Sequence, residues 1–143
     1  MKQLSFIKKS LLAIVILSIF LISCDKKDDN TTTPATDNSD KDKPVITINT
    51  PTAMQIYNSG DTIRIKGMVT DASLHELLIK ITKDSDGSEL FSETPTVHDL
   101  KSYTIDTYWK SAVSGHTNAT LVVLAEDHDS NVSSDTVHIH IMP

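Results

Sequence analysis

Gly60-Asp61-Thr62-Ile63-Arg64-Ile65-Lys66-Gly67-Met68-Val69-Thr70-Asp71 has a period of two. Ile63, Ile65 and Val69 share one parity, with Gly67 completing it, while Arg64, Lys66 and Thr70 take the other. Successive side chains of an extended strand point to opposite faces, so this alternation predicts a strand with one face buried and one wet. Similar runs lie at 45–49, 77–82, 89–92, 102–109, 119–126 and 136–142. Pro51, Asn58-Ser59-Gly60, Asp86-Gly87, Pro95, Ser114-Gly115 and Asp129-Ser130-Asn131 punctuate them. About seven short strands separated by turn residues predict an all-β sandwich over residues 44–143. Leu74-His75-Glu76-Leu77-Leu78 could form one helical turn, but Ile79-Lys80-Ile81 carries the segment on as strand.

The chain before residue 44 has a different chemistry. Residues 25–43 hold six aspartates and four lysines, and Ala35 is their only apolar residue besides proline. Such a segment buries too little surface to offset its chain entropy, so 24–43 reads as a disordered tether. Ahead of it, Lys2, Lys8 and Lys9 precede an uncharged apolar run at 11–22, closed by Leu21-Ile22-Ser23-Cys24. A basic start, a short apolar core and small residues at the end make an export signal over residues 1–23. The run is too short for a spanning helix, which needs about 20 apolar residues. Cys24 is the only cysteine, so no internal disulfide can form.

A cysteine at the cut site resembles a bacterial lipoprotein signal, with Leu21, Ile22 and Ser23 as the cleavage motif. The resemblance implies that Cys24 carries the lipid and becomes the first residue of the mature chain. A single acyl chain holds a protein to a membrane only reversibly, so stable anchoring takes more than one. Cys24-Asp25-Lys26-Lys27-Asp28-Asp29 is similar to the start of surface lipoproteins of the Bacteroidota. That implies the outer face of the outer membrane, with a periplasm-facing position as the alternative; the enteric sorting rule conflicts with it, since there an aspartate at the position of Asp25 retains the protein at the inner membrane.

Pro44-Val45-Ile46-Thr47-Ile48, the run from Gly60 to Asp71, and the pair of runs at 121–127 and 137–141 together resemble the immunoglobulin-like domains that bacterial lipoproteins carry singly. Pro44-Val45-Ile46-Thr47-Ile48 with Pro51 looks like the opening strand. Gly60 to Gly67, then Thr70-Asp71, looks like the second strand and its exit. Leu121 to Asp127, Ser130-Asn131, and Val137 to Ile141 look like the closing hairpin. The implied role is binding or assembly with a protein or glycan partner, without catalysis.

Charge narrows the partners. The whole chain carries −6, of which −7 falls on residues 44–143. Nucleic-acid phosphates attract Lys and Arg, so nucleic acid is excluded as the expected partner. The membrane contact is expected through the lipid anchor, not a basic patch. No Gly-x-Ser-x-Gly nucleophile motif or Gly-rich phosphate loop is present, and no cofactor is specified.

Two groups of residues stand out as candidate sites. Leu78, Val122 and Leu124 are apolar on the parity opposite the core residues Leu77, Ile79, Leu121 and Val123. In an immunoglobulin-like topology they would adjoin His138 and His140 on one outer face, a candidate partner surface. The second group is the alternative function, a metal site. His138 and His140 lie two apart on one strand, about 7 Å along it, and could share zinc or copper given a third ligand. Asp127 and Asp129, in Glu126-Asp127-His128-Asp129-Ser130-Asn131, supply oxygen ligands of the kind calcium takes. The plainer reading of each is a polar strand face and a turn.

Overall fold

A computed structural model describes residues 40–143. The expected signal, Cys24 and the tether up to residue 39 lie outside the described residues. From residue 44 onward the chain forms eight strands and no helix. They are β1 (Val45–Thr50), β2 (Gln55–Asn58), β3 (Thr62–Thr70), β4 (Leu74–Lys83), β5 (Glu89–Glu93), β6 (Ser102–Lys110), β7 (Thr117–Asp127) and β8 (Val132–Met142). One sheet has the order β1-β3-β6 and the other β2-β8-β7-β4-β5. Every pairing is antiparallel except β2 with β8, which is parallel. This is the strand distribution of an immunoglobulin-like sandwich, with three strands against an extended second sheet.

The alternation at 62–70 does what its period dictates. Ile63, Ile65, Gly67 and Val69 are buried, whereas Arg64, Lys66 and Met68 are exposed. β7 repeats the pattern from the opposite sheet, burying Ala119, Leu121, Val123 and Ala125. Ile79, Ile81, Ile105, Ile139 and Ile141 complete the layer between the sheets. Each Ile, Leu or Val side chain so withdrawn from water contributes about 1.5–3 kcal/mol before chain entropy is counted.

Gly67 is part of this core for a steric reason. A Cβ there would collide with the Thr47 carbonyl oxygen of β1. The register of β1 on β3 shifts between Ile48 and Thr50, beside this close approach. After Thr50 the chain leaves the first sheet, passes the buried Pro51 and enters the second as β2. The seven expected runs are all strands, and β2 is the additional one. β4 starts at Leu74, so the segment 74–78 is strand, and β8 starts at Val132, earlier than 136.

A bulge at the start of β4 positions the residues that follow. Leu74 and Leu77 are three apart, which on a regular strand would put them on opposite faces. Both are fully buried. The register explains this: Leu74 pairs with Asp127 and Glu76 with Glu126, leaving His75 as the extra residue. Bulges of this kind redirect a side chain at a strand end.

Candidate functional site

The expected partner surface falls on the outer face of the five-stranded sheet. β4 pairs with β7 so that Leu78 faces Leu124 and Lys80 faces Val122. β7 pairs with β8 so that Thr120 faces His138 and Asn118 faces His140. All five residues therefore share one face. Leu78, Val122 and Leu124 are half-buried, interleaved with Lys80, Thr136 and Ser134. His138 and His140 lie toward one end, beyond Val122.

Each of these two histidines is engaged by β7. The Thr120 hydroxyl donates to Asp84 Oδ1 at 2.6 Å and lies 2.9 Å from His138 Nδ1. With its one proton given to Asp84, the hydroxyl accepts from Nδ1–H of His138. His140 Nδ1 lies 2.7 Å from Asn118 Oδ1, which can only accept, so the ring donates there too. Among the described residues, the sets of three ligand atoms within metal-sharing reach include neither His138 nor His140.

Asp127 and Asp129 sit in the turn between β7 and β8. The Asp127 carboxylate accepts the Asn131 backbone N–H and side-chain Nδ2–H, both at 2.7 Å. Burial acts to raise its pKa, but the Asn131 hydrogen bonds, with help from the Asp129 backbone and the His128 charge, bring it below the ordinary aspartate value. Asp129 Oδ2 accepts the Asp40 backbone N–H at 3.1 Å, and Asn131 Nδ2 donates to the Asp40 carbonyl at 2.9 Å. Carboxylate oxygens of Asp40, Asp71 and Asp127 thus gather near this turn. Asp71 accepts the Ser73 N–H, so its carboxylate, like that of Asp127, serves a local turn. In the β4–β5 connection, Asp86 accepts both the backbone and the hydroxyl of Ser88, and Gly87 takes φ 71°, again a turn.

The structure also assembles a group that local sequence patterns do not show. His75, His98 and His128 come from the β4 bulge, the β5–β6 connection and the β7–β8 turn. Their ring centroids are 5.3 Å apart for His75 and His98, 4.7 Å for His75 and His128, and 4.5 Å for His98 and His128. One nitrogen from each ring lies within 4.8 Å of the others. The Asp99 carboxylate is 3.0 Å from His128 Nε2 and 3.9 Å from His98 Nδ1. His75 Nδ1 is shielded from solvent and has no hydrogen-bond partner.

Each of these histidines follows a buried residue: Leu74, Val97 or Asp127. His98 and His128 both occupy the second position of a four-residue turn. Leu100 N–H donates to Val97 C=O at 2.9 Å in one turn, and Ser130 N–H to Asp127 C=O at 3.3 Å in the other. Backbone hydrogen bonds tie the pieces together. Asp99 N–H donates to Leu74 C=O, Leu74 N–H to Leu100 C=O, and His128 N–H to Ser73 C=O. Asp99 sits at φ 63°, a conformation Asp adopts more readily than most residues.

No family model matches this chain, and no curated protein sequence matches it. Solved structures do. An engineered protein is similar over 71% of this chain, at 12% identity and a TM-score of 0.50; the match spans 20% of that protein's length. Fibronectin(III)-like modules of Clostridium thermocellum CbhA match 68% of this chain and 94% of their own, at 16% identity and a TM-score of 0.45. Murine CRIg matches 71% of this chain and 98% of its own, at 13% identity and a TM-score of 0.41. At these identities the likeness is one of fold.

Proposed function

We propose that this chain is a non-catalytic envelope lipoprotein that displays one immunoglobulin-like domain for binding or assembly with a protein or glycan partner. Cys24 carries the reading: it closes an export signal of the right charge and length, where a lipid would be attached. The acidic start after Cys24 favours the outer face of the outer membrane. The polar segment to residue 43 then acts as a leash of roughly 25 Å that lifts the domain off the head groups.

Fold does not fix function, so the partner has to be read from the surface. The outer face around Leu78, Val122 and Leu124, with His138 and His140 at its end, is the contact surface in this reading. Apolar side chains at strand centres facing away from the core are what a partner surface needs.

The test is fractionation combined with protease treatment of intact cells. Wild type should pellet with outer membranes and be clipped by external protease, whereas Cys24→Ser should leave the membrane fraction. Protection from protease would move the domain to the periplasmic side. Cys24→Ser remaining with membranes as before would refute the lipid anchor.

A further inference from the structure

We propose that His75, His98 and His128, with Asp99 beside them, form a binding site for a borderline divalent transition-metal ion of the zinc class. Three neutral imidazoles and a carboxylate are a donor set suited to zinc, and less to calcium or magnesium, which take oxygen ligands. This site is separate from the outer-face histidines and does not depend on the lipid anchor.

Three observations carry it. The first is convergence. Three of the chain's six histidines meet at one end of the sandwich, each from a different segment, with one nitrogen from each within 4.8 Å of the others. Tetrahedral zinc, with Zn–N of about 2.0–2.1 Å, needs those nitrogens about 3.4 Å apart. His98 and His128 project from turns and are 57% and 34% exposed, which leaves their side chains room to turn toward a shared ion.

The second is the frame. A bulge sets His75, and two turns anchored by buried Val97 and Asp127 set the other two. Ser73, Leu74, Asp99, Leu100 and His128 are cross-linked by main-chain hydrogen bonds. Ligand side chains carried on a backbone held by such hydrogen bonds are what a metal site requires.

The third is the polar chemistry around the rings. Asp99 lies where it can serve as fourth ligand or hold a ligating imidazole by its second nitrogen, the usual companion of zinc-bound histidine. His75 Nδ1 is shielded and unpartnered, so hydrogen bonding at that nitrogen does not explain the packing of its ring. The plainer reading is three imidazoles packed edge-on and tilted against one another with no ion between them, and the experiment below decides between the two.

The full-length chain, extracted in detergent, is stripped with chelator, titrated with Zn2+ by calorimetry and assayed for bound metal after desalting. Co2+ is used in parallel for its visible bands. The proposal expects one Zn2+ per chain, tetrahedral Co2+ absorption, and a higher Tm with metal than without, by mass action. His98→Gln and His128→Gln should each abolish stoichiometric Zn2+ while the metal-free proteins keep the wild-type melting transition. These two rings lie on turns, so they decide the matter even if His75→Gln fails to fold. Asp99→Asn should weaken binding about 10–100-fold. The His138→Gln/His140→Gln double variant should retain the full equivalent. No stoichiometric binding by wild type, binding unchanged in His98→Gln and His128→Gln, or binding lost in the double variant would each overturn the proposal.

Discussion

Arg64 on β3 and Asp106 on β6 form a two-pronged ion pair across the outer face of the three-stranded sheet. Nε and Nη2 of the guanidinium donate to the two carboxylate oxygens, each at 2.7 Å. They are diagonal neighbours, since Asp106 pairs directly with Lys66 and Arg64 with Tyr108. Both side chains are about half exposed, so the pair fixes local geometry more than it stabilises the fold.

A pH dependence follows from that pair. The Arg64 hydrogen bonds, and then the nearby positive charges of Arg64 and Lys66, hold the Asp106 carboxyl below its ordinary pKa against the opposing effect of desolvation. A carboxyl depressed in the folded state stabilises above the unfolded value, about pH 4, and that contribution disappears as pH falls through the folded value. Carboxyl NMR should show Asp106 titrating below the ordinary aspartate range in wild type and returning toward it in Arg64→Gln. An identical titration in both would mean the pair does not persist in solution.

Gly67 gives a steric prediction. Gly67→Ala places a methyl group against the Thr47 carbonyl oxygen, which is backbone and cannot swing aside. β1 must then move off β3, and we expect a loss of about 2 kcal/mol or more by denaturant unfolding. Gly115→Ala meets nothing nearby and should change stability little. Equal stabilities for the two variants would show that β1 does not pack as described.

The two faces of β4 should respond differently to truncation. Ile81 is fully buried between the sheets, so Ile81→Ala should cost about 2–5 kcal/mol. Leu78 is half-buried on the outer face, and Leu78→Ala should cost about 1 kcal/mol or less. Equal losses would mean that Leu78, Val122 and Leu124 form a second structural layer and not a surface available to a partner.

Most of the sandwich was legible because its strands alternate. Ile63, Ile65 and Val69, and likewise Leu121 and Val123, carry their burial in their spacing. β2 was not legible, for two reasons. It has only four residues, with Ile56 left exposed, and it pairs in parallel with β8, a strand remote in sequence. No local pattern announces such a pairing.

The sites divide in the same way. His138 and His140 show as a pair because they are two apart on one strand, and the structure puts them on one face. What they bond to, Thr120 and Asn118, depends on the β7–β8 register, which spacing along one strand does not give. The His75, His98 and His128 group is spread over more than fifty residues and depends on a bulge and two turns. One signal existed: β4 and β7 are antiparallel neighbours, so the start of one must lie near the end of the other. That alone brings His75 toward His128, and only the β5–β6 connection, with Val97 as its buried anchor, adds His98.

Mass spectrometry of the native protein extracted from membranes tests the lipid-tethered reading. The account predicts a chain beginning at Cys24, without residues 1–23, whose N-terminal peptide carries two or three acyl groups. A native chain that retains residues 1–23, or a Cys24 recovered as an unmodified thiol, would contradict it.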